Sequence, residues 1–159
     1  MRREEIREIA KTAAIEAITF KNNIIQEEFD KRYQDVRLLM RNYRKLKAYC
    51  SRIDPEVLEV DVICSTQRKT ALMMSHVEKM LAAYKALCQR AETPDELRRW
   101  EVLYLRYMAD NRMKIDDIAD SLHVNKRTLY RDTERAMEDM AVLLFGIEAI
   151  GTWKHKNAI

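Results

Sequence analysis

The residues whose side chains are best suited to bind a ligand lie near the C-terminal end of the chain, in the stretch NKRTLYR. The candidates are Asn125, Lys126, Arg127, Thr128, Tyr130 and Arg131. At helical spacing the basic side chains share one outward face. Arginine can make a bidentate contact with guanine, whereas lysine can contact nucleobases or phosphates. The asparagine and the threonine can contact phosphates near the helix start. The pattern predicts binding of double-stranded DNA by insertion of this helix into the major groove.

The placement of these bases favours that interpretation. Four basic and two acidic side chains lie in residues 123–135, although the whole chain carries a formal charge of only +3. The bases are concentrated at the start of the helix, where the helix dipole disfavours cations. An anionic partner at this end would offset that cost. The alternative is a solvated amphipathic helix of an ordinary bundle that binds protein or nothing.

The residues before the basic stretch match a helix-turn-helix that would position it. Ile118 and Leu122 supply apolar positions in a first helix, and Ala119 supplies the small residue where the second helix crosses. Val124 follows the turn, and Leu129 lies four residues after the expected N-cap and faces inward. We therefore expect Asn125 to begin the second helix.

Two residues depart from the usual pattern of such motifs. His123 stands at the turn where glycine is common, which requires it to adopt a left-handed conformation. Asp132 stands where an apolar residue is often buried. We expect Thr133, Ala136 and Met137 to carry the packing in its place.

The rest of the chain predicts an all-α fold. Only 2 glycines and 2 prolines occur, and 35% of the residues are charged, a composition that favours long helices. Apolar residues at helical spacing predict a first helix ending near Asn22 and Asn23, and a second, longer one continuing to about Cys50. Pro55 and apolar alternation over residues 53–63 predict a loop or a short turn before another helix over residues 67–89.

A well-marked boundary divides the chain at residue 93. Thr93 can cap a helix, Pro94 suits its first position, and Glu96 can bond back to the cap. We expect this helix to end near Met108. The predicted organisation is a helical module over residues 1–92, which packs and can oligomerise, a helix-turn-helix domain over residues 93–145, and an apolar tail over residues 146–159. Gly146 is expected to end the last helix.

The chain resembles a known family in several stretches. These are LRRWEVLYLRYMADNRMKIDDIADSLHVNKRTLYRDTERAMEDM, RLLMRNYRKLK, LMMSHVEKML and LLFGIEAIG. The first resembles the C-terminal domain of sigma factors, which reads promoter DNA through a helix-turn-helix. The whole chain resembles phage and prophage late-gene activators of the ArpU/RinA type. The resemblance implies DNA binding upstream of a phage operon with contact to RNA polymerase.

Residues 41–52 form a second basic stretch with no acidic residue. It contains Arg41, Arg44 and Lys45, with tyrosines interleaved. We favour a solvated basic face whose tyrosines point into the core. The alternative is a set of secondary phosphate contacts made by these three bases beside the recognition helix.

Enzymatic motifs are absent from the sequence. There is no GxSxG, no glycine-rich phosphate loop and no HExxH, so we expect neither an enzyme nor a cofactor. A recombinase is disfavoured because no serine has an identifiable paired base. The spacing of Cys50, Cys64 and Cys88 fits neither a disulfide framework nor a zinc site, and we expect reduced thiols and no metal.

The remaining predictions concern partners and location. No apolar run approaches a membrane span and the N-terminus lacks a secretory signal, so we expect a cytoplasmic protein without membrane contact. The apolar tail and the gain from two DNA half-sites favour a homodimer. Two other functions stay open. One is a small terminase-like component of DNA packaging, which would form a ring, and the other is a helical protein-interaction adaptor.

Overall fold

The computed structural model describes residues 3–52 and 62–149, apart from the side chains of residues 25, 26, 28, 29, 62–64, 147 and 148. Over these residues the fold is all-α, as predicted, and no strand occurs among them. The elements are α1 (Arg3–Ser51), α2 (Val62–Arg90), α3 (Pro94–Leu103), a π-helical turn (Tyr104–Met108), α4 (Ile115–Ser121), α5 (Lys126–Phe145) and a 3-10 turn (Gly146–Ala149).

The expected break in the first helix is wrong. α1 runs without interruption through Asn22 and Asn23 and is 49 residues long. No glycine or proline occurs within it, and asparagine costs a helix interior only a fraction of a kcal/mol relative to alanine. The two predicted helices are therefore one. Its residues 3–24 are all exposed, whereas Val36, Met40 and Tyr43 are buried.

The larger hydrophobic core joins both halves of the chain. α1 contributes the three residues just named, and α2 contributes a stripe that includes Val77, Leu81 and Tyr84. The other side of this core comes from α3 and α5. The buried residues that these two helices contribute to the larger core are Leu103, Ala136, Met137, Met140 and Ala141. The predicted modules over residues 1–92 and 93–145 thus share one core.

A smaller core lies under the junction of α4 and α5. Its buried residues are Val102, Ile118, Ala119 and Leu129. Leu122 and Val124 pack against it and are half-buried. The apolar positions expected of the two-helix motif are therefore confirmed as members of a core. α3 contributes Val102 to this core.

The start of α3 corrects one prediction. Thr93 is in an extended conformation at the N-cap and Pro94 occupies the first turn, as expected. The Thr93 side chain, however, makes no capping hydrogen bond, so the capping box with Glu96 does not form. Pro94 already presets the first φ angle, and it has no N–H that needs a partner. After Leu103 the helix widens into the π-helical turn, which ends at Met108 as predicted.

Gly146 ends α5, as expected. Its φ of 59° lies in the left-handed region that glycine adopts at little cost. The chain then turns back so that Ala149 is buried in the larger core, with the 3-10 turn packed against α1. Residues 150–159 of the predicted apolar tail lie outside the described residues, as does most of the expected loop over residues 53–63.

None of the described helices has a stretch long and apolar enough to cross a membrane.

Candidate nucleic-acid interface

A tight turn fixes the start of α5 relative to α4. His123 has a φ of 54°, so it adopts the left-handed conformation that the sequence required of it. Its N–H donates to the carbonyl of Asp120 at 3.2 Å, and the N–H of Val124 donates to the carbonyl of Ala119 at 3.0 Å. These bonds satisfy two of the last carbonyl groups of α4 and set the direction in which the chain enters α5.

Asn125 caps α5, as predicted. Its Oδ1 accepts a hydrogen bond from the N–H of Thr128 at 2.8 Å. One turn later Leu129 is fully buried in the smaller core. Because a cap and a buried anchor both hold the first turn, the backbone of the residues around them is held in place.

The outward side of this turn is open and basic. Arg127, Tyr130 and Arg131 are exposed, and no acidic side chain in the described part of the chain pairs with either arginine. A shallow depression runs along this side of the helix. It is lined by Asn125, Arg127, Thr128, Tyr130, Arg131 and Glu134. The structure therefore brings five of the six predicted contact residues onto one surface.

Lys126, the sixth, is engaged elsewhere. Its Nζ lies 2.7 Å from Oδ1 of Asp116, at the start of α4. The hydrogen bond to Asp116 raises the pKa of Lys126 above its ordinary value. Both side chains are largely exposed, so this ion pair contributes little to stability and can exchange for a phosphate.

Arg106 is a component of this surface that sequence reasoning missed. It comes from the π-helical turn, and its guanidinium lies 5.6 Å from the ring centroid of Tyr130. Its Nη1 donates to Oγ1 of Thr133 at 2.8 Å. Arg106 and Thr133 lie 27 residues apart in the chain, so no local spacing could have revealed the pair. It adds a positive charge behind the exposed tyrosine and orients it by a cation–π contact.

Asp132 is buried beneath the same turn, with only 1% of its surface exposed. Its Oδ2 accepts a hydrogen bond from Nε of Arg98 on α3 at 2.6 Å, and Nη1 of Arg98 lies 2.9 Å from Asp95. The hydrogen bond with Asp132 raises the pKa of Arg98. Thr133, Ala136 and Met137 are buried as expected. Asp132 therefore occupies the position where an apolar residue is often buried, and its ion pair with Arg98 joins α5 to α3.

The second basic stretch divides into exposed and engaged residues. Arg41 and Lys45 are exposed. Arg44 is half-buried, and its Nε donates to the carbonyl of Ala109 at 2.6 Å, just after the π-helical turn. Its Nη2 is buried without a hydrogen-bond partner among the described residues. Of the three bases, Arg44 therefore holds α1 against the body, and the other two face solvent.

The cysteines form no cluster in the described part of the structure. Cys50 and Cys88 are free thiols, one half-buried and one buried. Burial raises the pKa of both, which keeps them protonated. Among the described residues no three histidine, cysteine or carboxylate side chains come close enough to hold a metal ion.

No protein-family model, curated protein or solved structure matches this chain.

Proposed function

We propose that the protein binds double-stranded DNA sequence-specifically, with the first two turns of α5 in the major groove. Arg127 and Arg131 contact base edges, and Asn125 and Thr128 contact the flanking phosphates. Lys126 exchanges its bond with Asp116 for a phosphate oxygen.

One observation carries this proposal. Arg127, Tyr130 and Arg131 stand exposed on a turn that is fixed by the Asn125 cap and by the buried Leu129 and Asp132. A base-reading helix gains affinity when its backbone is held in place before the partner arrives, because only its exposed side chains must then be ordered on binding. A helix selected only for solubility does not need unpaired guanidinium groups beside a cap and two buried residues.

The biological role that we propose is transcription regulation, as an activator of a phage or prophage operon in the bacterial cytoplasm. It rests on the resemblance to sigma-like regulators, and so does the proposed contact with RNA polymerase. Charge and exposure at the start of α5 support the DNA-binding part alone.

The test is selection of random duplex DNA by the purified protein, beside an Arg127→Ala, Arg131→Ala double variant. The matched control is Lys69→Ala, Lys79→Ala, which removes the same charge from exposed positions on α2. We expect the wild type and the control to enrich one motif that the α5 variant does not enrich.

Either of two results would contradict the proposal. The wild type enriches nothing, or the α5 variant enriches the same motif as the wild type. The first would favour the adaptor interpretation, and the second would place DNA recognition on another surface.

A further inference from the structure

The first part of α1 is not buried against any other described part of the protein. Every residue in the range 3–24 is exposed, and these 22 residues extend about 33 Å at 1.5 Å per residue. We call this segment the arm. A helix in water gains most of its stability from packing an apolar face, so a lone helix of this length is marginal. The arm nevertheless exposes large apolar side chains, among them Ile6 and Phe20.

Six of the ten apolar residues of the arm follow a coiled-coil spacing. They are Ile6, Ala10, Ala13, Ala17, Phe20 and Ile24, separated by intervals of four and three in strict alternation. At 100° per residue they lie within about 40° of one line along the helix. Alternation of four and three is the pattern of the a and d positions that form the seam between supercoiled helices. The alanines, at three of these six positions, would let two such helices approach closely.

The charges beside this seam fit a second copy of the same helix in parallel orientation. Glu16 precedes the seam residue Ala17, and Lys21 follows Phe20, which makes them the g and e positions. In a parallel, in-register pair these two positions face each other across the seam, so two opposite-charge contacts form by symmetry. In an antiparallel pair Arg7 would face Lys21 twice, and like charges would repel.

We propose that the arm pairs with the arm of a second copy of this chain, as a two-stranded, parallel, in-register coiled coil. The occupant of the apolar seam is thus the same segment of another protomer. This inference does not depend on the proposed DNA binding, because it can be measured without nucleic acid. It would place two copies of α5 in one particle, which is the arrangement that two half-sites require.

The test is the molar mass of the full chain by light scattering after size exclusion, over a concentration series. The seam variant is Ile6→Gln, Phe20→Gln, and the control is Ile15→Gln, Ile18→Gln on the outer side of the same helix. The four side chains are similarly exposed, at 51%, 68%, 56% and 60%. We expect the wild type to be a dimer. The seam variant should dissociate at concentrations at least about tenfold higher than the wild type does. The control variant should dissociate at the same concentration as the wild type. A wild-type monomer, a particle of three or more chains, or equal effects of both variants would overturn the proposal.

Orientation has its own test. Glu16→Lys should weaken the dimer, and adding Lys21→Glu should restore it. An Ala10→Cys variant should form an interchain disulfide, whereas Ile15→Cys, on the outer side, should not exceed the wild-type background. A dimer that persists without the Ala10→Cys crosslink would overturn the parallel arrangement.

Discussion

Two exposed helical surfaces of this chain differ in how they are held. The arm, residues 3–24, contains no buried residue, whereas the first turn of α5 is fixed by a cap, a buried leucine and a buried charge pair. The arm exposes apolar side chains, and the turn exposes guanidinium groups. Exposure alone therefore does not define a function. The two surfaces therefore lead to two different proposals, a second copy of the chain for the apolar arm and DNA for the basic start of α5.

The largest effect should come from breaking the support of α5. Arg98→Met leaves the carboxylate of Asp132 buried without its partner, and removal of one member of a buried ion pair costs about 3 kcal/mol or more. The matched change in the arm, Arg7→Met, should alter the free energy of unfolding by less than about 0.5 kcal/mol. Urea denaturation of both variants measures this contrast.

A double variant separates the lost pair from lost packing. Arg98→Met, Asp132→Leu removes both charges, and it should recover most of the stability that the single variant loses. If the double variant is as unstable as Arg98→Met alone, the bond to Asp132 does not support α5.

An intermediate effect is expected from the cap. Asn125→Ala removes the bond to the Thr128 N–H and should cost about 1 kcal/mol. Asn23→Ala replaces an exposed asparagine inside the arm, where alanine is the better helix former, and should cost nothing. Equal losses of unfolding free energy in the two variants would contradict the difference drawn between the surfaces.

A smaller, pH-dependent effect should appear at the other end of α5. Burial raises the pKa of Asp139 above its ordinary value of 3.8, although the hydroxyl of Tyr84 donates a hydrogen bond to it at 3.0 Å. Because the folded state holds this proton more tightly, the free energy of unfolding falls as pH rises through the raised pKa. Asp139→Asn cannot ionise, so its stability relative to the wild type should increase as the pH rises from the ordinary value of 3.8 through the raised pKa. A constant difference in thermal unfolding over that range would show that Asp139 titrates normally.

The smallest effect is expected at the second basic stretch. Under the favoured interpretation, Arg41→Gln, Lys45→Gln leaves the slope of log affinity against log salt unchanged, because these residues form a solvated face. Arg44 is left intact because it bonds to Ala109. A slope shallower by about 0.9 for each replaced base would instead identify them as phosphate contacts.

What the sequence predicted well was local. The Asn125 cap, the left-handed His123 and the burial of Ile118, Ala119 and Leu129 follow from residues within two turns of one another. Each has a chemical requirement that short-range spacing reveals.

What the sequence did not predict depends on distant residues. Arg98 and Asp132 lie 34 residues apart, and nothing near Asp132 indicated that its burial would be compensated. The Arg106 contacts with Tyr130 and Thr133 are hidden for the same reason. The sequence also does not predict the continuity of α1, because Asn22 and Asn23 resemble a helix end although asparagine lowers helix propensity only slightly.

The most direct test of the central claim is a specificity ratio. Binding of the wild type and of Arg127→Ala, Arg131→Ala would be measured at near-physiological salt, on the duplex enriched by selection and on a scrambled duplex of equal length. We expect the wild type to prefer the enriched duplex by about a thousandfold or more. The variant should lose about 2 to 6 kcal/mol of that preference, because each bidentate arginine contact contributes about 1 to 3 kcal/mol. An unchanged ratio in the variant would show that the start of α5 does not read DNA.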